Sequence, residues 1–249
     1  MNTLLVDIGN TRVKWAILRG TKLGRMHAAL HEGKPTALRA LVRAASSVDD
    51  VVAVCVAGAH LERALAAAVR QRFGFTPRFI RSTRQAVGVR SGYRETWRLG
   101  ADRWVGAIGA FAFARGAVVV ANIGTALTVD AVTAKGKHLG GAIVPGPSTM
   151  IESLLAGTHG IRRRARGGVV ASTRSLFAAD TASALGAGAT HAAAAFIDRA
   201  VAEAAAKMGA RPVLVLTGGA APALKAYIKS RAQVVRDLVL RGLAVLARD

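Results

Sequence analysis

Asp7, Gly9, Asn10, Thr11 and Lys14 lie within one short stretch near the start of the chain. Leu4-Leu5-Val6 is an apolar run that ends in the acid. Gly9-Asn10-Thr11 is a polar turn, and Arg12 to Ile17 is a second apolar run that starts basic. The pattern predicts strand, tight turn, strand. Gly9 allows close backbone approach, Asn10 and Thr11 add donors beside exposed N–H groups, and Lys14 brings a cation to the same end. Such a turn suits a polyphosphate. Asp7 repels phosphate, so its natural role at the strand tip is to hold Mg²⁺ through water. An ordinary polar hairpin with a solvated lysine fits the same residues, and one short motif does not separate the two.

The plan returns in the second half. Ala117 to Asn122 is an apolar strand, Gly124-Thr125 a turn, Ala126 to Asp130 a strand, and His138 to Val144 a third. In the first half, Leu23 to His31 is the matching third strand. Helices are expected over Pro35–Ala45 and His60–Arg72, with strands at Val51–Val56 and Phe79–Ile80. The second half continues with a helix over Ser148–Ala156 and a packed helix over the alanine-rich stretch Asp180–Met208. A strand at Val213–Leu216, the turn Thr217-Gly218-Gly219, a helix over Pro222–Ser230, a strand near Val234 and a helix over Asp237–Ala247 complete it. The expected architecture is α/β: two β-β-β-α-β-α lobes, residues 1–115 and 116–249, with a cleft between them that both turns face. Between the lobes, Ser82–Arg98 has no readable period, and Gly100-Ala101-Asp102-Arg103-Trp104 opens a helix running to about Phe113. Asp102 in that first turn is well placed as a capping acid.

A chain of 249 residues, 52% hydrophobic, can bury a large core. No apolar run reaches the roughly 18 residues of a membrane span, and Asp7 interrupts any secretory signal, so a cytoplasmic location is expected. The single cysteine, Cys55, lies in an apolar run and reads as a buried, inert thiol. The net charge of +21 admits nucleic-acid binding. Against it, the basic residues are scattered, and no recognition motif accompanies them. Arg162 to Arg166 is the one dense run, expected as a solvated loop, with an electropositive rim to the cleft as the alternative.

Asp7-Ile8-Gly9-Asn10-Thr11, Gly100-Ala101-Asp102-Arg103, Gly124-Thr125 with Thr128 and Asp130, Gly140-Gly141 through Pro145-Gly146, Asp180-Thr181, Thr217-Gly218-Gly219 and Asp237 to Leu243 occur in the order seen in type III pantothenate kinases. The chain resembles that family from residue 1 to about 244. The resemblance implies an actin-like (ribonuclease H-like) fold, usually a homodimer, that phosphorylates the primary hydroxyl of pantothenate with ATP and Mg²⁺ at the start of coenzyme A synthesis. It implies that Asp7, Ile8, Gly9, Asn10, Thr11, Arg12, Val13 and Lys14 cradle the ATP phosphates, joined by Thr125, Gly218 and Gly219. Tyr93, Gly100, Ala101, Asp102, Arg103 and Thr181 would contact pantothenate, with Asp102 as the base. Arg103 suits the pantothenate carboxylate.

One position departs from the family pattern. Where members commonly carry an acid associated with K⁺ or NH₄⁺, this chain has Asn122. An amide oxygen can ligate a monovalent cation but adds no charge, so a weakened dependence is expected. Two other functions fit parts of the sequence: a non-enzymatic regulatory or nucleic-acid-associated factor, and a sugar or acid kinase on the same fold. Retention of Asp102 with both phosphate turns argues against the first, and the Gly-Ala-Asp-Arg block against the second.

Overall fold

A computed structural model describes residues 1–45, 47–165, 168 and 175–249. The chain folds as two compact units, residues 1–115 with 135–138 and 237–249, and residues 116–134 with 139–236. Among the described residues no helix is long and apolar enough to cross a membrane.

In the first unit the strands are β1 (Asn2–Ile8), β2 (Arg12–Arg19), β3 (Lys22–Leu23), β4 (His27–Leu30), β5 (Asp50–Cys55) and β6 (Arg78–Phe79). They form a sheet ordered β3-β2-β1-β5-β6, with β4 also paired to β2. Helices α1 (Thr36–Ala44) and α2 (Ala59–Phe73) alternate with the later strands. β1 is central, antiparallel to β2 and parallel to β5. Its near-continuous apolar run reflects cover on both faces. Leu4, Val6 and Ile8 join Leu38 and Leu41 of α1 and Leu61 and Leu65 of α2 in one core. Side chains alternate along a strand, so Leu5 and Asp7 face the other way.

That other face is where α3 (Ala101–Ala114) meets β5, and where the C-terminal helix meets β1. The expected third strand, Leu23–His31, is broken in two. Gly24 N–H turns inward to Ile17 O at 2.8 Å, and a Cβ on Gly24 would lie 2.9 Å from that oxygen. The unreadable segment after Arg81 holds a minimal hairpin, β7 (Gln85–Ala86) and β8 (Val89–Arg90), and a 3-10 turn at Thr96–Arg98.

The second unit repeats the plan with β9 (Val118–Ile123), β10 (Ala126–Val132), β11 (His138–Pro145), helices α4 (Pro147–Gly157), α5 (His159–Arg164) and α6 (Thr181–Met208), then β12 (Val213–Thr217), α7 (Ala221–Leu224) and β13 (Ala232–Val234). Its sheet order, β11-β10-β9-β12-β13, is that of the first sheet, with β9 in the place of β1. α6 begins where Asp180 accepts a hydrogen bond from Ser183 N at 2.9 Å, and it buries Ala193, Ile197, Val201 and Ala204.

Two local expectations fail here. The helix expected over Pro222–Ser230 stops at Leu224 and gives way to a 3-10 turn at Lys225–Tyr227. Asp198 on α6 draws the following chain out of helical geometry by accepting from Lys229 N and Ser230 N, each at 2.9 Å. Arg162 to Arg164 form the end of α5, where a solvated loop was expected; Arg166 lies outside the described residues. Arg162 donates to Leu155 O at 2.7 Å and Ala156 O at 2.9 Å, so it satisfies carbonyls at the end of α4.

The last helix, α8 (Leu238–Leu246), packs on α3 through paired glycines. A Cβ on Gly109 would lie 2.6 Å from Leu238 O and 2.9 Å from Gly242 N, and one on Gly242 would overlap Val105 O. Gly109→Ala is expected to destabilise by about 1–3 kcal/mol, because neither backbone can withdraw. Gly106→Ala on the same helix, with nothing within 4 Å of the added carbon, is expected to fall within about 1 kcal/mol of the parent. Equal denaturant midpoints for the two variants would contradict this account of the contact.

Candidate active site

The β1–β2 turn is tight and outward-facing. Gly9 N–H donates to Arg12 O at 3.0 Å, and Asn10, Thr11 and Arg12 are exposed. Register places Lys14 opposite Asp7, with Nζ 3.9 Å from Oδ2. Asp7 is buried. Desolvation pushes its pKa up from 3.8 to about 6; Lys14 pulls it down, and the charge of Asp102 pushes it up. The two carboxylates that the sequence places ninety-odd positions apart therefore share one electrostatic environment.

α3 brings Asp102 there. Asp102 Oδ1 accepts from Arg103 N at 2.8 Å within the first turn of α3, whose N-cap is Gly100 and not Asp102. A Cβ on Gly100 would lie 2.9 Å from Asp102 Oδ1, so a side chain there would have to push that carboxylate aside. Arg103 is 8% exposed, which is rare for a first-turn arginine. Its Nη1 donates to Tyr93 Oη at 3.0 Å, and its guanidinium lies over the Tyr93 ring at 5.7 Å. Tyr93 stacks in turn on His138, with centroids 6.0 Å apart and planes 17° apart. Tyr93, Gly100, Ala101, Asp102 and Arg103 thus form one group within the first unit, with Asp7 and Lys14 on the strand tips of the same unit. His138, fully buried under Tyr93, escaped the sequence reading because a lone histidine at a strand start carries no pattern.

The second unit gathers its own residues. Thr125 is exposed at the β9–β10 turn, and its carbonyl is fixed by Gly146 N–H at 2.8 Å and Thr149 Oγ1 at 2.7 Å. Thr217 pairs with Asn122 in register. Gly218, at φ +93°, passes so close that a Cβ would lie 2.7 Å from Asn122 Oδ1 and overlap Ile123 O. Asn122, Thr125, Gly218 and Gly219 therefore meet at one end of this sheet. Thr181, the first residue of α6, lines a recess of about 380 Å³ with Met150, Leu154 and Leu185.

No group of three or more acidic, histidine or cysteine side chains able to hold a metal occurs among the described residues. Mg²⁺ keeps most of its waters and takes one or two carboxylates plus substrate phosphates. A desolvated Asp7 is a suitable carboxylate, because a divalent charge beside it would favour its ionised form.

The type III pantothenate kinase family model matches residues 3–203. The chain belongs to this family. A type III pantothenate kinase from Aromatoleum aromaticum is 41% identical over 246 residues, covering 99% of this chain and 98% of that protein. One from Nitrosococcus oceani is 37% identical over 254 residues, covering 99% and 94%. Among solved structures, a conserved Baf family protein from Campylobacter jejuni aligns over 98% of this chain and 97% of its own, with TM-score 0.62 at 20% identity. A ROK family glucokinase from Streptomyces griseus, solved with glucose and AMPPNP, aligns over 100% and 99%, with TM-score 0.55 at 15% identity. At these identities the structural likenesses establish the fold alone, the duplicated actin-like α/β architecture.

Proposed function

We propose that this member of the family is an ATP-dependent pantothenate kinase. It transfers the γ-phosphoryl group to the primary hydroxyl of pantothenate, giving 4'-phosphopantothenate, the first step of coenzyme A synthesis. The observation that carries the proposal is the near full-length identity to relatives bearing that name, in a chain that also groups Asp102, Arg103 and Tyr93 beside Asp7.

Phosphoryl transfer needs an aimed alcohol, a proton acceptor and compensation of charge on the phosphoryl group. Arg103, held against Tyr93, binds the pantothenate carboxylate and sets the substrate's orientation. The carboxylate of Asp102 accepts the hydroxyl proton as the new O–Pγ bond forms and the bond from Pγ to the β–γ bridging oxygen breaks, releasing ADP. Lys14 and the exposed turn N–H groups stabilise the phosphate charge. Asp7 would hold Mg²⁺ through water, and the ion would add neutralisation of the phosphates.

ADP release with pantothenate, with glucose and acetate as controls, tests the function. Release that requires pantothenate is expected, and no release with it would remove the proposal in favour of a non-enzymatic role. In the same assay KCl or NH₄Cl is expected to raise the rate only weakly, because Asn122 contributes no charge to a cation site. Strong activation from a near-zero baseline would overturn that point. We also infer a cytoplasmic homodimer in which a second copy covers the apolar recess of α4 and α6, where Leu154 stands 43% exposed. A single-chain mass by light scattering on the assayed sample would exclude the dimer.

A further inference from the structure

Behind the β1–β2 turn, just past the end of β4, lies a histidine, His31, that is 3% exposed. Three hydrogen bonds fasten it to the turn and to the loop after it. Its Nε2 is 2.7 Å from Gly9 O, its backbone N–H donates to Thr11 O at 3.1 Å, and its Nδ1 is 3.0 Å from Gly33 N. The last contact assigns the tautomer. A ring nitrogen that accepts from a backbone N–H carries no proton, so the proton is on Nε2 and is donated to Gly9 O. The imidazole is neutral with both nitrogens engaged. Gly33, at φ +75°, is held in its turn through its carbonyl, which lies 3.0 Å from His60 Nε2 on α2.

The consequence for the turn follows from peptide geometry. No cis peptide bond occurs in the described chain, so each peptide C=O points opposite to the N–H across the same bond. With Gly9 O drawn toward His31, Asn10 N–H points away from it. Asn10 N–H and Thr11 N–H have no hydrogen-bond partner among the described residues, and both residues are exposed. Carbonyl oxygens repel phosphate and N–H groups attract it. Two turn carbonyls face the buried histidine, and the peptide fixed through Gly9 O turns Asn10 N–H outward for an anion.

We propose that His31 is the positioning residue of the phosphate turn: its neutral imidazole holds the Gly9 carbonyl so that the Asn10 N–H group meets the phosphates of ATP, while its backbone N–H anchors the Thr11 carbonyl beside it. This rests on the proposed role of the turn in holding ATP. His31 itself touches no substrate.

Steady-state kinetics with both substrates varied, and thermal melts, on His31→Leu, His31→Gln and Lys14→Ala test it. His31→Leu fills the space without the ring hydrogen bonds, and the expected result is an ATP KM raised about ten-fold, the scale of one lost hydrogen bond to an oriented carbonyl. Its pantothenate KM stays within about two-fold of the parent. His31→Gln retains an amide N–H able to reach Gly9 O and is expected to recover most of the ATP KM. An unchanged ATP KM in folded His31→Leu, equal rises in both KM values, or a glutamine variant no better than leucine would overturn the assignment. Should His31→Leu fail to fold, His31→Gln decides alone, and a ten-fold rise in its ATP KM would count against the proposal. Lys14→Ala separates the two levels. If it raises the ATP KM while His31→Leu does not, only the histidine assignment falls. If neither moves it, the turn does not hold the phosphates and the underlying site reading falls as well.

Discussion

Asp102→Asn is expected to lower kcat for pantothenate phosphorylation by about 10²-fold to 10⁴-fold, the range for a missing general base. Asparagine is the informative replacement because it separates two duties of the native side chain. Its Oδ1 can still accept from Arg103 N–H, so the first turn of α3 keeps that hydrogen bond. The lost charge removes a favourable helix-dipole interaction of about 0.3–1 kcal/mol. It also removes the repulsion that Asp102 exerts on Asp7, an effect of opposite sign. The melting temperature should therefore move by no more than a few degrees. Arg103 and Tyr93 keep their contact, so the pantothenate KM should stay near the parent value. Equal kcat in the two proteins would remove Asp102 as the base. A collapse of stability would show that holding the first turn of α3, and not proton transfer, is its main task.

Much of this site was legible because the chemistry sits at the ends of strongly patterned elements. β1 and β9 are both buried apolar strands followed by a glycine turn, and the repeat of that unit exposed the duplicated plan. Asp7 and Lys14 could be paired from the hairpin alone, since register across a short turn follows from its length. Arg103 was legible only in part. Its burial depends on Tyr93, and Tyr93 stands in a segment whose short hairpin and 3-10 turn leave no period to read. His31 and His138 were not legible at all. Each acts through a contact with a backbone or ring distant in sequence, and a single histidine has no spacing to betray it. The same limit explains the shortened α7. Its helical pattern is sound locally, and Asp198, far away on α6, overrides it by binding the next backbone N–H groups.

Asp7→Asn is expected to stabilise the metal-free protein at pH 8 while abolishing transfer. Burial raises the folded-state pKa of Asp7 from 3.8 to about 6, despite Lys14 nearby. Between those values the folded state binds more protons than the unfolded state, so this group's contribution is fully present below about pH 4 and is lost as pH rises through about 6. At 1.36 kcal/mol for each pH unit, the penalty for the charged carboxylate at pH 8 comes to about 3 kcal/mol. Asparagine has no charge to desolvate and escapes it. Melts of both proteins in EDTA from pH 4 to pH 8 should show the variant gaining on the parent across that window, with a difference of several degrees at the upper end. Because every other titrating group is common to the pair, the difference isolates Asp7. Adding Mg²⁺ with ATP should raise the parent's melting temperature more than the variant's, since a ligand stabilises only the form that binds it. A variant less stable than the parent at pH 8, or a gap that does not change with pH, would mean that the Lys14 pairing outweighs desolvation and that Asp7 is held ionised without a metal. The predicted pattern would instead mark Asp7 as a position where the fold accepts instability in exchange for a charged metal ligand.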